Sequence, residues 1–368
     1  MSLILGIESS CDETAAAIVR DGYEVLSSAV ASQIATHAIH GGVVPELAAR
    51  EHLVALRPVL DEALDNAGVS LSDIDAIAVT QGPGLMPALL VGLNYAKGLA
   101  AAHRKPLIGI NHFLAHIYGA FLDDGRGILE DPATYPLLAL VVSGGHTSLL
   151  FVTGDGKAEQ IGCTIDDAAG EALDKAAKLL NLGYPGGPVM QRTAEHGNPE
   201  KYHFPRPLTG TAGKAVPEEH KYNFSFSGVK TALLYHVQNH IRGDAAAEQQ
   251  FVYDTAAGFQ EAVIDVLCRK TLAAAKAYHV KTVVVAGGVA CNSVLRERLA
   301  ELMPRGIIFR PAPRKYCTDN AAMVGGIGFH YFKQGLFSEL GIDAFARLPQ
   351  ITHVSFVAGN HHQEGALQ

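Results

Sequence analysis

Two histidines four residues apart are the first side chains in this sequence that could do chemistry. His112 and His116 would share one face if their segment is helical, and two imidazole nitrogens at that spacing commonly bind one divalent metal ion. The pair is not a zinc-protease motif, because Phe113 stands where that motif has its general-base glutamate. Histidine pairs also occur on helix surfaces and in cores, so a metal site is one interpretation and a structural pair is the other.

A metal site of this kind needs a third ligand from another part of the chain. The segment that contains Asp319 and Asn320 has the composition of a helix start. A carboxylate at that place could complete a site of two histidines and one carboxylate with open coordination positions. A helix-capping role would explain Asp319 equally well, and sequence spacing does not separate the two.

Two turns have the residues of an anion or phosphate site. The turn from Glu8 to Thr14 is crowded with carboxylates and hydroxyls, and the turn from Ser143 to Thr147 contains two adjacent glycines. Backbone N–H groups in such turns can face a phosphate, while carboxylates hold a metal or orient a nucleophile. A solvated hairpin tip is the alternative for each turn. Their equivalent positions in a repeat, described below, favour a binding role.

Two further polar residues have spacing that is compatible with nucleotide binding. Asn292 follows a strand and the Gly287-Gly288 pair and precedes a helix, so its amide could bond a ribose or a base edge. Asp174 lies on a helical stretch and could accept hydrogen bonds from ribose hydroxyls. An ordinary position on an exposed helix face is the alternative for Asp174.

The elements that position these residues occur twice. Residues 3–19 and 137–152 each predict a hairpin of two apolar strands around a polar turn. Each hairpin is later followed by an amphipathic helix, a β-branched strand (74–80 and 282–286) and a glycine turn that opens another helix. This repeat predicts a duplicated α/β domain with the glycine turns across a common cleft. Two unrelated α/β domains are the alternative.

Composition narrows the class of protein. The chain has 368 residues, is 48% hydrophobic and 18% charged, and has a formal net charge of −8. Enough apolar surface is present for cores, and no apolar run reaches the ~18 residues of a membrane-spanning helix. The five cysteines are scattered without a C-x-x-C pair, which argues against a disulfide framework. The first residues predict a strand rather than a leader peptide, so we expect a cytoplasmic enzyme.

Eight separated blocks, taken in order, resemble one family. They are GIESSCDET (6–14), GVVPE (42–46), QGPGL (81–85), NHFLAH (111–116), VSGGHT (142–147), YPGGP (184–188), FSFSGVKT (224–231) and AGGVACN (286–292). Over about residues 3–335 the chain is similar to the TsaD family, the tRNA threonylcarbamoyladenosine transferases once labelled glycoprotein endopeptidases. The form of the first turn resembles the bacterial and mitochondrial branch.

The resemblance implies an α/β protein with the duplicated actin-like, Hsp70-like ATPase fold (ASKHA), in which two RNase H-like domains surround a central cleft. We expect the first domain at 1–133, completed by a helix over about 319–335. The second is expected at 134–318, with loop insertions at about 183–227, where glycine, proline, lysine and histidine are frequent. Residues 356–368 have no periodicity and are expected to be a disordered tail.

The resemblance also implies an acyltransferase reaction. A threonylcarbamoyl group would pass from threonylcarbamoyl-AMP to N6 of adenosine 37 in tRNAs that read codons beginning with A, releasing AMP. One divalent metal ion, Fe²⁺ with Zn²⁺ as the alternative, would be bound by His112, His116 and Asp319. The residues expected to contact the adenylate are Val141, Val142, Ser143, Gly144, Gly145, Asp174, Gly187 and Asn292. Gln191 stands where many relatives have aspartate, so no ribose contact is assigned to that position.

Three expectations concern the base and the partners. An exocyclic amine is a poor nucleophile, and Asp12 in the first turn is the candidate base. The implied partners are tRNA, the paralogue TsaB and the small ATPase TsaE, without a membrane. Since the net charge of −8 does not attract tRNA, we expect shared tRNA binding, with local basic clusters at 103–105 and 310–315 as candidates.

Three rival functions follow from the same residues. A sugar or acetate kinase of the same superfamily would show the duplicated turns but has no need of the histidine pair. A peptidase would use the histidines but lacks the glutamate. A non-catalytic scaffold leaves three ligand-type residues beside intact glycine turns unexplained.

Overall fold

The architecture is that of a computed structural model, which describes residues 1–210, 215–240, 243–347, 351–353 and 356. The first half alternates strands and helices in the order β1 (Leu3–Glu8), β2 (Glu13–Arg20), β3 (Glu24–Ser32), α1 (Ile34–Ala38), α2 (Pro45–Ala67), β4 (Ala76–Gly82), α3 (Met86–His103), β5 (Leu107–Asn111) and α4 (His112–Gly119).

The second half repeats this order with additional helices. Its elements are β6 (Leu137–Val142), β7 (Thr147–Val152), β8 (Lys157–Cys163), α5 (Ala169–Leu179), α6 (Gly186–Ala194), α7 (Ser227–Gln238), α8 (Ala245–Ala277), β9 (Thr282–Ala286), α9 (Ser293–Leu302), β10 (Ile308–Pro311), α10 (Ala321–Lys333) and β11 (Ile351–His353).

The two sheets have the same strand order, which confirms the duplicated fold. The first is β3-β2-β1-β4-β5. The second, read from the corresponding edge, is β8-β7-β6-β9-β10, with β11 added beside β8. In each sheet two strands form an antiparallel hairpin (β1 with β2, β6 with β7). On its other side the first hairpin strand pairs with a parallel strand, which is β4 in the first sheet and β9 in the second. The alternative of two unrelated domains is therefore wrong.

Both sheets are covered by helices, so their central strands are buried and mostly apolar. All residues of β6 and of β9 are buried, as is typical of strands with helices on both faces. Helix α10 packs on the first sheet although it is the last helix among the described residues. A Cβ at Gly6 would stand 2.1 Å from the carbonyl oxygen of Ala321, so glycine permits this close approach. The residue limits of the two domains stay a prediction.

The structure corrects the description of two irregular regions. The region 183–227 is not only loop, because it contains α6 and a short 3-10 helix at Glu218–His220. Pro188 is compatible with α6 because it lies in the first turn, where no intrahelical N–H bond is needed. The tail does not begin at Phe356, whose ring is buried 6.0 Å from that of Tyr118, and residues 357–368 lie outside the described part.

Within the described residues, no helix combines the length and the apolar character that crossing a membrane requires.

Candidate metal centre and cleft

The histidine pair is held by the junction of β5 and α4. The Asn111 side chain caps α4 by accepting hydrogen bonds from the N–H groups of Phe113 (3.0 Å) and Leu114 (3.3 Å). His112 is thus the first helical residue, and His116 follows one turn later on the same face. Both side chains are buried, so the interpretation as a surface pair is wrong.

Asp319 brings its carboxylate to the two imidazoles. Its Oδ1 lies 3.1 Å from Nε2 of His116 and 3.5 Å from Nε2 of His112, and the ligand atoms of the three residues lie within 4.8 Å of one another. Asp319 does not cap α10, since Asn320 does so by accepting from the N–H of Met323 at 3.1 Å. The structure therefore removes capping as the explanation of Asp319.

Glu8, the last residue of β1, orients His112 from behind. One of its oxygens lies 3.2 Å from Nδ1 of His112 and accepts from the Thr80 hydroxyl at 2.6 Å. The other accepts from the N–H of Ser10 at 2.6 Å. A carboxylate on the far nitrogen of a histidine is the usual support of a metal ligand. Sequence reasoning gave Glu8 no role of its own, although a fully buried carboxylate that ends an apolar strand was the available signal.

Charge within the cluster favours a cation at its centre. Burial opposes ionisation of His112, but Asp319 and Glu8 outweigh it and raise its pKa to about 9. Burial and the charge of His112 lower the pKa of His116. Burial opposes the charge of Asp319 too, but the histidines hold its pKa below its ordinary value. Two carboxylates thus stabilise one positive charge in a buried space.

The donor set fits a divalent transition-metal ion. Nε2 of His112, Nε2 of His116 and Oδ1 of Asp319 converge, which is the set of two imidazoles and a carboxylate that such ions accept. The group is therefore consistent with one metal ion, and the identity of that ion is a separate question.

A third histidine, which sequence reasoning did not single out, lies beside this centre. The ring of His146 stands 6.5 Å from that of His112 and meets Phe113 edge-on at 4.7 Å. Burial and the charge of His112 lower the pKa of His146 to about 4, so it is neutral at physiological pH. Because His146 belongs to the glycine turn of the second half, it connects that turn to the metal centre.

The first turn is acidic and is held by hydrogen bonds to His52. His52 donates from Nε2 to the carbonyl of Cys11 (3.0 Å), and its Nδ1 lies 2.7 Å from the Thr14 hydroxyl. Asp12 is buried between these two residues of the turn. Burial and the neighbouring Asp12 raise the pKa of Glu13 to about 10, so Glu13 is neutral at physiological pH.

The second turn is open. Its two ends, Ser143 and His146, are joined by two hydrogen bonds of 2.8 and 3.2 Å, and the glycines between them are uncovered. A Cβ at Gly144 or Gly145 would have none of the described atoms within 4 Å, so a ligand could approach this backbone closely. The side chains of Val141 and Val142 are fully buried in β6, and any substrate contact from them would use the backbone.

Asp174 and Gly187 are brought together at the start of α6. The carboxylate of Asp174 accepts from the N–H of Gly186 at 2.6 Å, at the start of α6. Burial raises its pKa to about 6, and the charge of Asp12 adds to that effect. Asp174 is therefore not on an exposed helix face. Gly187 is open, since a Cβ there would have no described atom within 4 Å.

Asn292 is more fully engaged than its sequence interpretation implied. It caps α9 by accepting from the N–H of Leu295 (3.1 Å) and donates to Oε1 of Gln260 (2.9 Å). Gln191 bonds both the hydroxyl and the N–H of Ser293, at 3.1 and 3.2 Å. Gln191 thus joins α6 to the start of α9. Ligand contacts from Asp12, Asp174, Gly187 and Asn292 stay predictions.

Solved structures support the fold alone. The activator of 2-hydroxyisocaproyl-CoA dehydratase from Clostridium difficile with bound ADPNP has a TM-score of 0.52 at 17% identity, covering 90% of this chain and 96% of its own. Full-length HypF in its phosphate- and nucleotide-bound form has a TM-score of 0.57 at 13% identity, covering 92% and 56%. The chain has the actin-like ATPase fold that these neighbours share.

Sequence relatives are far more similar. The tRNA N6-adenosine threonylcarbamoyltransferase of Thermomicrobium roseum is 48% identical, over 97% of this chain and 99% of the relative. That of Symbiobacterium thermophilum is 51% identical, over 93% and 95%. The family model TsaD, tRNA N6-adenosine threonylcarbamoyltransferase, matches residues 24–326. Because the family model covers most of the chain, with the glycine turns and all three converging ligands, and relatives of about 50% identity match nearly its full length, this chain belongs to the TsaD family of transferases.

Proposed function

We propose that this protein transfers a threonylcarbamoyl group from threonylcarbamoyl-AMP to N6 of adenosine 37 in tRNAs that read codons beginning with A. The bond from the carbamoyl carbon to the phosphate oxygen breaks, a bond to N6 forms, N6 loses one proton and AMP leaves. The observation that carries the proposal is the position of the His112, His116 and Asp319 cluster beside an open glycine turn, in a member of this transferase family.

The residues of the cleft suit an activated donor. A mixed anhydride needs positioning more than it needs a strong nucleophile. The open backbone at Gly144 and Gly145 leaves room for the adenylate, with Ser143, Asp174, Gly187 and Asn292 as further contacts and the backbone of Val141 and Val142 below. His112, His116 and Asp319 would hold one divalent ion, Fe²⁺ or alternatively Zn²⁺, which supplies Lewis-acid chemistry when bound.

Asp12 is the proposed general base. Its neighbour Glu13 has a pKa raised to about 10 by burial and by Asp12, so Glu13 is already protonated and cannot accept a proton at neutral pH. The charge of Asp12 adds to the effect of burial in raising the pKa values of Asp174 and Tyr184. A proton from N6 would therefore pass to Asp12 rather than to Glu13.

Reconstitution tests the function. The protein is combined with threonine, bicarbonate, ATP, an adenylate-forming enzyme, the partner proteins and unmodified tRNA, and threonylcarbamoyl adenosine is measured by mass spectrometry. Asp319→Ala should leave the adenylate intact and abolish transfer. If the adenylate persists and the tRNA stays unmodified with the parent protein and all partners present, the assignment fails and a kinase or scaffold moves ahead.

Metal content tests the metal centre separately. His116→Ala leaves two of the three ligands, so bound metal per chain should fall to a small fraction of the parent value. His103→Ala is the matched control, because His103 ends α3 on an exposed surface. Equal metal stoichiometry in both variants would refute the site.

The partners TsaB and TsaE are part of the proposal, and one apolar surface supports a protein partner. A groove between α2 and α3 is lined by Leu53, Leu56, Leu90, Val91, Asn94 and Tyr95, and Leu53 is 69% exposed. Such a helical face suits a paralogue with its own apolar helices. Leu53→Glu should abolish heterodimer formation in size-exclusion chromatography, and Leu302→Glu, also on an exposed helix position, should not.

The structure weakens one of the two basic clusters suggested for tRNA. Arg310 is paired with Asp124 (2.6 Å) and Lys315 with Asp123 (2.6 Å), so less positive charge is available there. Shared tRNA binding with the partners is therefore the proposal we retain. We expect the reaction in the cytoplasm, because its tRNA substrate is found there.

A further inference from the structure

Three buried polar side chains connect the first turn to the loop that precedes α2. Gln33 directly precedes α1, His37 lies in α1 and His52 lies in α2. These residues are at most 5% exposed, although burying a polar group costs free energy unless it is hydrogen-bonded. The transfer reaction proposed above uses none of the three. Their hydrogen bonds show what their burial achieves.

The hydrogen bonds of this relay, which consists of Gln33, His37 and His52, all run in one direction. The N–H of Val44 donates to Nδ1 of His37 (3.3 Å), so the proton of the neutral His37 ring is on Nε2. That Nε2 donates to Oε1 of Gln33 at 3.0 Å. Because Oε1 accepts, the other end of the Gln33 amide is its NH₂ group. This group donates to the carbonyl of Ala48 and to Nδ1 of His52, both at 3.3 Å.

The relay ends on the backbone of the first turn. Because Nδ1 of His52 accepts a hydrogen bond, the proton of this ring is on Nε2, which donates to the carbonyl of Cys11 at 3.0 Å. The Thr14 hydroxyl, 2.7 Å from Nδ1, is a second donor to that nitrogen. Burial lowers the pKa of His52, so the ring is neutral at physiological pH and keeps this direction of donation.

The relay holds both peptide groups that flank the Cα of Asp12. The carbonyl of Cys11 belongs to the peptide group before Asp12 and accepts from His52. The carbonyl of Asp12 belongs to the peptide group after it and accepts from the N–H of Gln33 at 3.0 Å. The planes of two successive peptide groups define φ and ψ of the residue between them. These two bonds therefore fix the direction in which the Asp12 side chain leaves the turn.

We propose that His52 is a positioning residue for the transfer reaction, which holds the Asp12 carboxylate in place through its hydrogen bond to the Cys11 carbonyl. This inference rests on the proposed function, because it assigns the relay to the group that would accept the proton from N6. Misplacing such a group by about 1 Å can cost about 10²-fold in rate. The candidate metal ligands and the open glycine turn lie outside the relay. Loss of the His52 bond should therefore lower kcat and leave metal content and AMP affinity near their parent values.

Two variants of His52 separate its donor from its acceptor. Asparagine brings an amide oxygen to the place of Nδ1 but has no donor that reaches Cys11, so His52→Asn should lower kcat at least about tenfold. Glutamine is long enough to bring an amide N–H to the place of Nε2, so His52→Gln should keep most of the parent kcat. Kinetics in the reconstituted reaction give kcat and the KM for tRNA, and both variants should have the parent KM. Metal analysis and calorimetric AMP titration give the two binding quantities.

The tautomer of His52 is measured in the parent protein, so this part of the test does not depend on the folding of a variant. A nitrogen-15 spectrum of histidine-labelled protein should show a ring that is protonated on Nε2 and bare on Nδ1. The signals of His52 are those that disappear in His52→Gln or, if that variant does not fold, in His52→Asn.

His330→Asn is the matched control. His330 is also buried, and its Nε2 lies 2.9 Å from a hydroxyl, that of Tyr118. This variant should keep the parent kcat per folded molecule, whatever its melting temperature. The proposal is wrong if His52→Asn has the parent kcat, if His52→Gln is as slow as His52→Asn, if kcat and metal content fall together, or if His52 carries its proton on Nδ1. In each of these cases the parent still modifies tRNA and the transferase assignment stands. A parent protein that leaves tRNA unmodified with all partners present overturns the proposed function and this inference with it.

Discussion

The turn between β1 and β2 and the turn between β6 and β7 stand at the same place in two sheets of the same strand order. In the first turn, buried carboxylates and hydroxyls are fixed by hydrogen bonds from neighbouring elements. In the second, two glycines expose their backbone to an empty space. One duplicated scaffold thus provides a closed, charged side that can support a metal centre and an open side that can receive a ligand.

The glycines near each turn show the same contrast. A Cβ at Gly84 would stand 2.6 Å from the Ser10 carbonyl oxygen, so glycine there permits packing of the first turn. At Gly144 and Gly145 no described atom would be met, so packing does not explain why they are glycines. Where a scaffold does not require glycine, close approach of a ligand is the remaining physical reason for it.

The largest effect is expected on the closed side, at Glu8. Glu8→Ala removes a buried carboxylate that accepts from Ser10 and Thr80 and faces His112. The unpaired groups should lower the free energy of unfolding by about 3–5 kcal/mol, and metal affinity should fall about 10–100-fold. Urea denaturation and metal titration measure the two quantities. Glu8→Gln keeps an acceptor and should lose less of each, and equal behaviour of parent and Glu8→Ala would contradict the supporting role.

The next test separates packing glycines from ligand glycines. Gly145→Val should leave the melting temperature near the parent value and weaken AMP binding by about 10–100-fold, roughly 1.4–2.8 kcal/mol, because bulk is added only where a ligand would lie. Gly84→Ala should leave AMP binding near the parent value and lower the free energy of unfolding by about 1–3 kcal/mol through overlap with Ser10. Calorimetry gives both readouts. AMP affinity unchanged in Gly145→Val would show that the nucleotide binds elsewhere.

A smaller, graded effect is expected from pH. The pKa of His112 is raised to about 9 in the absence of metal, so below that pH a metal ion must displace one proton from it. Apparent metal affinity should therefore fall by about tenfold for each pH unit below about 9. Competition with a chelator between pH 6.5 and 8.5 measures the slope. Glu8→Gln removes one of the two charges that raise the pKa of His112, so its metal affinity should depend less on pH. A metal affinity of the parent protein that does not change with pH would contradict the prediction.

Periodicity and spacing predicted much of this contrast. Apolar strands around a polar turn, found twice, indicated the duplicated sheets, and the four-residue spacing placed His112 and His116 on one face of α4. Glu8 was missed because its partners, Thr80 and His112, are 72 and 104 residues away. Helix α6 was missed because Gly186, Gly187 and Pro188 are typical of loops, although all three are permitted in a first helical turn.

The smallest expected effect is at Asp174, on the second half's side of the cleft, where stability and ligand binding should move in opposite directions. Burial raises its pKa to about 6, so the folded protein binds its proton more tightly than the unfolded chain does. Stability from this group is therefore present at low pH and is lost as pH rises from about 4 to about 6. Asp174→Asn cannot ionise but keeps an acceptor for the N–H of Gly186. It should be more stable than the parent by about 1 kcal/mol at pH 7.5, after allowance for partial exposure, and by nothing measurable near pH 4.

If Asp174 also accepts from a ribose, the same variant should bind AMP several-fold more weakly, while Asp174→Ala should lose both stability and affinity. Urea denaturation at the two pH values and calorimetric AMP titration give these quantities. A destabilised Asp174→Asn with parent affinity for AMP would mean that this carboxylate only anchors α6, and the second side of the cleft would then depend on its open backbone for binding.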